Sequence, residues 1–366
     1  MESNNENKIN NEDKIMIKER DTKEEKKSIQ KEIKEEIKND KKEEKIEIND
    51  KILNNYFKPF PVKLDVDFKL KKKYKSTQKY DNINMISGTI LPESNLILSG
   101  NSDGQLNIYY YYSGEISKHY SFFHEIKNLN YVDKKTFIYS SDYSINIFDV
   151  EIGKNILSFY AHDTTICSLY YDENYKNIIS STKEGIICGW DFHHKSSIPF
   201  ISHFLFDENN IISTDYNREN KFFYSLGKNS NINILNMFEE EKILYKFKLE
   251  DNHNKPISIS ANLNNLNQFI VGYEKGFKIF DIRNFGCVDD WTKNLDVKIE
   301  KCIIDSNNIL IQNEIGIMLY DNKEKKKIDE KVLKDKIGFF NFINFPKEES
   351  KIIYGDGNGN VFYSMN

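Results

Sequence analysis

Seven short apolar segments of this chain end in a large side chain, and these ends recur at intervals of about 40–45 residues. The residues are Tyr109, Phe148, Trp190, Leu235, Phe280, Tyr320 and Tyr363. In four of them an Asp follows at once: Phe148-Asp149, Trp190-Asp191, Phe280-Asp281 and Tyr320-Asp321. Tight-turn signals stand ahead of most, such as Asp103-Gly104, Glu184-Gly185, Lys275-Gly276 and Gly357-Asn358-Gly359. A unit of this length cannot bury an apolar face alone, so neighbouring units must stack around a continuous core. That requirement overrides the prior of several domains for a chain of 366 residues.

The pattern inside a unit identifies its elements. In the third, Ile166–Tyr171, Asn177–Ser181 and Ile186–Asp191 are three apolar stretches separated by the turns Asp172-Glu173-Asn174 and Lys183-Glu184-Gly185. Their apolar positions follow a period of two, which excludes a helical solenoid. The fourth unit is the least regular, with the polar run 215–220 between its first two strands. The reading is an all-β, seven-bladed β-propeller occupying residues 54–366. The last unit stops after its third strand, at Val361–Met365, whereas an alternating stretch at Val62–Leu70 precedes the first unit and belongs to none. The N-terminal strand is therefore expected to complete the last blade and close the ring, which removes two exposed sheet edges.

Residues 1–53 are a charged, low-complexity segment with too little apolar surface to offset the entropy of ordering. Disorder or a transient helix is expected there. Ile29, Ile33 and Ile37 would share one helical face, either as a solvated transient helix or as a segment that orders on a partner. The formal net charge of -5 is too mild to argue for steering toward nucleic acid, and nucleic acid is not an expected partner. No apolar run approaches the roughly 20 residues of a membrane span, and no secretory h-region is present. Cys167, Cys188, Cys287 and Cys302 show no CxxC spacing and read as reduced thiols of a cytoplasmic or nuclear protein.

These residues together resemble the WD-repeat family of β-propellers, over about residues 56–366. The resemblance implies a hydrogen-bonded set of loop His, strand Ser or Thr, turn Asp and strand-end Trp in each good blade. Its nearest match is His162, Ser180, Glu184 and Trp190, with Glu in place of Asp. Thinner sets are His124 with Asp142, and His253 with Glu274. The resemblance also implies a non-enzymatic scaffold that docks other proteins within a multi-subunit complex. The loops that would carry a partner face include Asp103, Tyr143, Asp163, Thr164, Lys183 and Lys275. Phe280-Asp281-Ile282-Arg283 is similar to a signature of substrate receptors of cullin-RING ubiquitin ligases, which makes Asp281 and Arg283 a candidate adaptor contact. The alternative for Arg283 is a surface guanidinium paired with a local carboxylate.

Catalytic motifs are not evident. There is no GxSxG elbow, HExxH helix or P-loop, so neither catalysis nor a cofactor is expected. A hydrolase built on a propeller would need a nucleophile and base outside the repeat positions. A metal is not expected at Cys188, His193 and His194, whose spacing does not suit a closed zinc site. The lysines at 69, 71–73 and 75, and those at 323 and 325–327, read as solvated basic faces.

Overall fold

A computed structural model of the protein describes residues 70–75 and 85–364, apart from short stretches such as 206–209, 250–253 and 344–350. The segment 1–53, with its isoleucine stripe, and residues 62–69 lie outside the described residues. Among the described residues all regular elements are strands, and they form seven four-stranded antiparallel sheets. Six are built from strands consecutive in the chain, spanning residues 85–121, 127–160, 166–204, 211–248, 256–290 and 299–332. The seventh consists of Ile337–Ile343, Lys351–Asp356 and Asn360–Ser364, with Leu70–Lys75 paired antiparallel to its last strand.

The third sheet shows why the sequence folds this way. Its strands are Ile166–Asp172, Asn177–Thr182, Ile186–Asp191 and Ile201–Phe204. The second and third strands are buried on both faces, as in most of the sheets, so they read as continuous apolar runs such as Leu96–Ile97–Leu98. The fourth strands alternate between exposed and half-buried residues, as an outer edge should. In the first, second, fourth, fifth and sixth sheets the pairing of third and fourth strands shifts register next to Tyr109, Phe148, Leu235, Phe280 and Tyr320. The periodic large residue therefore marks a β-bulge.

The Asp that follows it has a separate task. Asp149 Oδ1 accepts hydrogen bonds from the backbone N–H of Glu151 and Ile152, at 2.8 and 3.0 Å. Asp191, Asp281 and Asp321 make the same turn with the N–H two residues on, and Asn236 substitutes for Asp in the fourth sheet. Each side chain supplies the acceptor that closes the hairpin into the outer strand.

Apolar clusters join sheets that follow one another. Leu106, Ile108, Phe137 and Phe148 lie in a cluster between the first and second sheets. Trp190 packs with Ile138 and Ile147 between the second and third, and Leu235 with Ile179 and Ile187 between the third and fourth. Further clusters bridge the fourth to the fifth and the fifth to the sixth. Ile353 and Val361 of the seventh sheet pack with Ile90, Ile97 and Tyr109 of the first.

Two local expectations are corrected. The described N-terminal strand that pairs with Asn360–Ser364 is Leu70–Lys75, which meets the expected 62–70 only at Leu70. Lys71, Lys72, Lys73 and Lys75 thus belong to this strand. In the fourth sheet, Asp215, Tyr216 and Asn217 continue the first strand, because neighbouring sheets satisfy their polar atoms. Asp215 Oδ2 accepts from Ser260 Oγ and Ala261 N, at 2.7 and 2.8 Å, and Tyr216 donates its hydroxyl to Asp172 Oδ2 at 2.5 Å. Lys326–Val332 is the outer strand of the sixth sheet, where Lys326 and Lys327 are exposed as the solvated-face reading expects, and Lys325 lies over the Trp291 ring at 5.7 Å.

Candidate functional site

The second sheet departs from its neighbours at one hairpin. In the first, third and fourth sheets, five residues separate the last paired positions of the second and third strands (Gly100–Leu106, Ser181–Ile187 and Leu226–Ile232). In the second sheet Ser141 pairs directly with Ser144, leaving Asp142 and Tyr143 as the whole loop. Asp142 takes φ of 50°, a left-handed conformation that Asp tolerates better than most residues. The short turn leaves space beside it, and a cleft of about 300 Å³ opens there.

Its walls come from three pieces of chain. Residues 122–124 enter from the first sheet, held where Phe122 N–H donates to Gly104 O at 2.8 Å. Gly104 has φ of 76°, and a Cβ there would lie 2.4 Å from Phe122 O and 2.6 Å from His124 O, so only glycine lets this segment pass. The Asp142-Tyr143 turn forms the second wall, and Tyr160, at the end of the outer strand, completes it. Phe123, Tyr143 and Tyr160 are exposed, Phe123 and Tyr160 almost fully. The floor is polar, with Tyr139 and Asn146 buried and Asn155 half-buried. Tyr139 OH and Asn155 Oδ1 lie 3.2 Å apart, Asn155 Nδ2 donates toward Asn146 Oδ1 at 3.5 Å, and burial pushes the Tyr139 phenol up to about 12. At the mouth, His124 Nδ1 meets Asp142 Oδ2 at 2.7 Å.

His124 and Asp142 are therefore brought together as expected. However, His124 is 64% exposed, so the pair lines an open cleft rather than filling a buried repeat position. The site adjoins a second constellation. Ala161 N–H and His162 N–H both donate to Tyr143 O, at 2.9 and 3.3 Å, which seats the next turn against the hairpin. His162 is buried, its Nε2 lies 2.7 Å from Ser180 Oγ, and Trp190 Nε1 donates to the same oxygen at 2.8 Å. Burial lowers the His162 pKa to about 4 against the opposing pull of Asp163 and Glu184. The Glu184 carboxylate instead accepts the Thr164 hydroxyl at 2.6 Å, which holds its pKa below the usual value. Glutamate is one methylene longer than aspartate, and its carboxylate is held at the turn surface.

The other expected residues lie elsewhere. Asp103 sits exposed in the first sheet's hairpin, next to the segment 122–124. Asp163 and Lys183 are exposed beside Thr164 and Glu184. Lys275 belongs to the fifth sheet and pairs with Asp296 at 3.0 Å, and Glu274 is exposed beside it. His253 and His194 lie outside the described residues. Arg283 closes a two-point contact on Asp281, Nε to Oδ1 at 3.0 Å and Nη2 to Oδ2 at 2.6 Å, so its fork is engaged within its own turn. Cys188 is buried with its Sγ 3.4 Å from Ser202 Oγ. Among the described residues, no cluster of three or more His, Cys, Asp or Glu is placed to hold a metal ion, and no helix is long and apolar enough to cross a membrane.

The sequence singles out Tyr143, His124 and Asp142 of this cleft but not Phe123, Tyr160 or the floor. A usable signal was the absence of a turn glycine at 141–144, where the corresponding turns carry Gly104, Gly185 and Gly276. Comparison of the chain with models of protein families and with curated proteins finds no match.

Proposed function

We propose that the seven sheets are the blades of a closed propeller of the WD-repeat type, and that this propeller is a non-catalytic platform that docks other proteins. The ring is supported by the clusters that join the first six sheets in order and the seventh to the first, and by the pairing of Leu70–Lys75 with the final strand. The docking role rests chiefly on the cleft of the second sheet. Three large aromatic side chains stand exposed around a pocket whose floor is polar. Such groups at a surface commonly anchor a partner. The four unpaired cysteines agree with a partner in the cytoplasm or nucleus.

The test is a comparison of the tagged chain with its Phe123→Ala/Tyr143→Ala/Tyr160→Ala variant in affinity purification from the source cells. The variant should melt at the same temperature, since these side chains are exposed, and should lose a defined set of co-purifying proteins. Retention of every partner by the variant would remove the cleft as the docking surface.

A further inference from the structure

We propose that the cleft receives a cationic side chain, lysine or arginine, carried on an extended segment of a partner protein. This deepens the docking reading above and rests on it.

Three observations converge. First, five of the lining residues are aromatic: Phe122, Phe123, Tyr139, Tyr143 and Tyr160. Ring faces attract a cation through their quadrupole, most strongly where water is partly excluded. Second, the one charged group of fixed sign in the lining is an acceptor. Asp142 is the one carboxylate, and Asn146, Asn155, Ser141 and Ser144 add amides and hydroxyls that can accept as well as donate. His124 holds Asp142 Oδ2 at 2.7 Å, and none of the lining residues is Lys or Arg. Third, the surrounding turns are acidic. Asp103 flanks the segment 122–124, and Asp163 and Glu184 lie on the turns beside Tyr143; the nearby cations are Lys183, next to Glu184, and Lys127, which is paired with Glu125.

Other occupants fit less well. An acidic side chain would meet Asp142 and the three neighbouring carboxylates. An aliphatic one would cover the serines and asparagines without replacing their hydrogen bonds to water. A proline-rich segment would stack on the rings but leave Asp142 unused. A lysine or arginine buries its methylene stem against the rings and delivers its charge to the polar floor.

The experiment selects phage-displayed random dodecapeptides on the full chain and measures the winners by fluorescence anisotropy. Each peptide is titrated against the parent, Tyr143→Ala/Tyr160→Ala, and Asp142→Asn, the last chosen because Asn also accepts the left-handed backbone of that turn. Peptides that depend on the two tyrosines should share a Lys or Arg. Its replacement by Gln should weaken binding about tenfold. Asp142→Asn should weaken it several-fold, and added salt should do the same. Tyrosine-dependent peptides without a basic residue, or indifferent to its replacement, would overturn the cationic assignment while leaving the docking cleft standing. If no selected peptide responds to the tyrosine changes, both readings fall.

Discussion

At the scale of single residues, the His162–Ser180–Trp190 contacts carry the clearest energetic consequence. Ser180 Oγ has two neighbours, Trp190 Nε1 and His162 Nε2, in a buried setting. An imidazole held there is kept neutral, because burial lowers its folded pKa from 6.5 to about 4. The unfolded chain therefore binds a proton more readily than the folded one between these values. Stability is full above pH 6.5 and falls as the pH drops toward 4, by up to about 3 kcal/mol from this group. Urea unfolding at pH 7.0, 5.5 and 4.0 should show that slope, and His162→Asn should flatten it, although other acids will contribute below pH 5. A variant with the parent's slope would mean that His162 is not the group responsible. Part of this arrangement was legible in the sequence, since His162, Ser180 and Trp190 stand at repeat positions. The diversion of Glu184 to Thr164 was not, because a side-chain rotamer set by one extra methylene leaves no mark on periodicity.

At the scale of elements, the first strands are tied to their neighbours by a recurring device. Ser87 donates to Ile126 O at 2.7 Å, and Ser258 to Ile299 O at 3.4 Å, each reaching from one sheet to the next. Opposite each serine stands a glycine, Gly100 or Gly272, in the adjacent strand. A Cβ on Gly272 would lie 2.4 Å from Ser258 Oγ and 2.6 Å from Ile299 Cγ2, and one on Gly100 would meet Ser87 and Ile126 almost as closely. These two glycines are thus needed for close approach between sheets, not for backbone freedom. Gly272→Ala should destabilise the protein by about 1–3 kcal/mol through overpacking, read as a lower urea midpoint. The double change Gly272→Ala/Ser258→Gly should recover part of that loss, since it removes the nearer clash. An unchanged midpoint in the single variant would mean that the junction yields freely. Strand identity and order were largely legible in advance, because turn chemistry and apolar runs are local. The Ser–Gly–Ile junction was not, because its partners are about 40 residues apart and belong to different units.

At the scale of the whole molecule, the junctions differ in quality. Tyr120, Phe159 and Phe247 of outer strands pack on Phe148, Trp190 and Phe280 of the following sheets, with ring centroids 4.9, 5.2 and 6.2 Å apart. Between the third and fourth sheets the matching positions hold His203 and Leu235, and Tyr170 instead packs on Phe223 and Tyr216, with ring centroids 6.1 and 6.2 Å apart. His203 Nε2 and both amide atoms of Asn233 are buried there without a hydrogen-bond partner. In the ring proposed above, closure depends on the seventh sheet, which makes the strand Leu70–Lys75 decisive. It pairs with Asn360–Ser364 and thereby covers what would otherwise be an unpaired edge of apolar, β-branched and aromatic residues. A chain beginning at residue 76 should therefore melt over a broader range than one beginning at 60, and should associate as its concentration rises. A synthetic peptide of residues 62–78 added in trans should restore the sharp transition and the monomer, since it returns the missing strand without altering any sheet. If both chains melt alike and stay monomeric by light scattering, the edge needs no cover, and the ring proposed here is not what holds the molecule together.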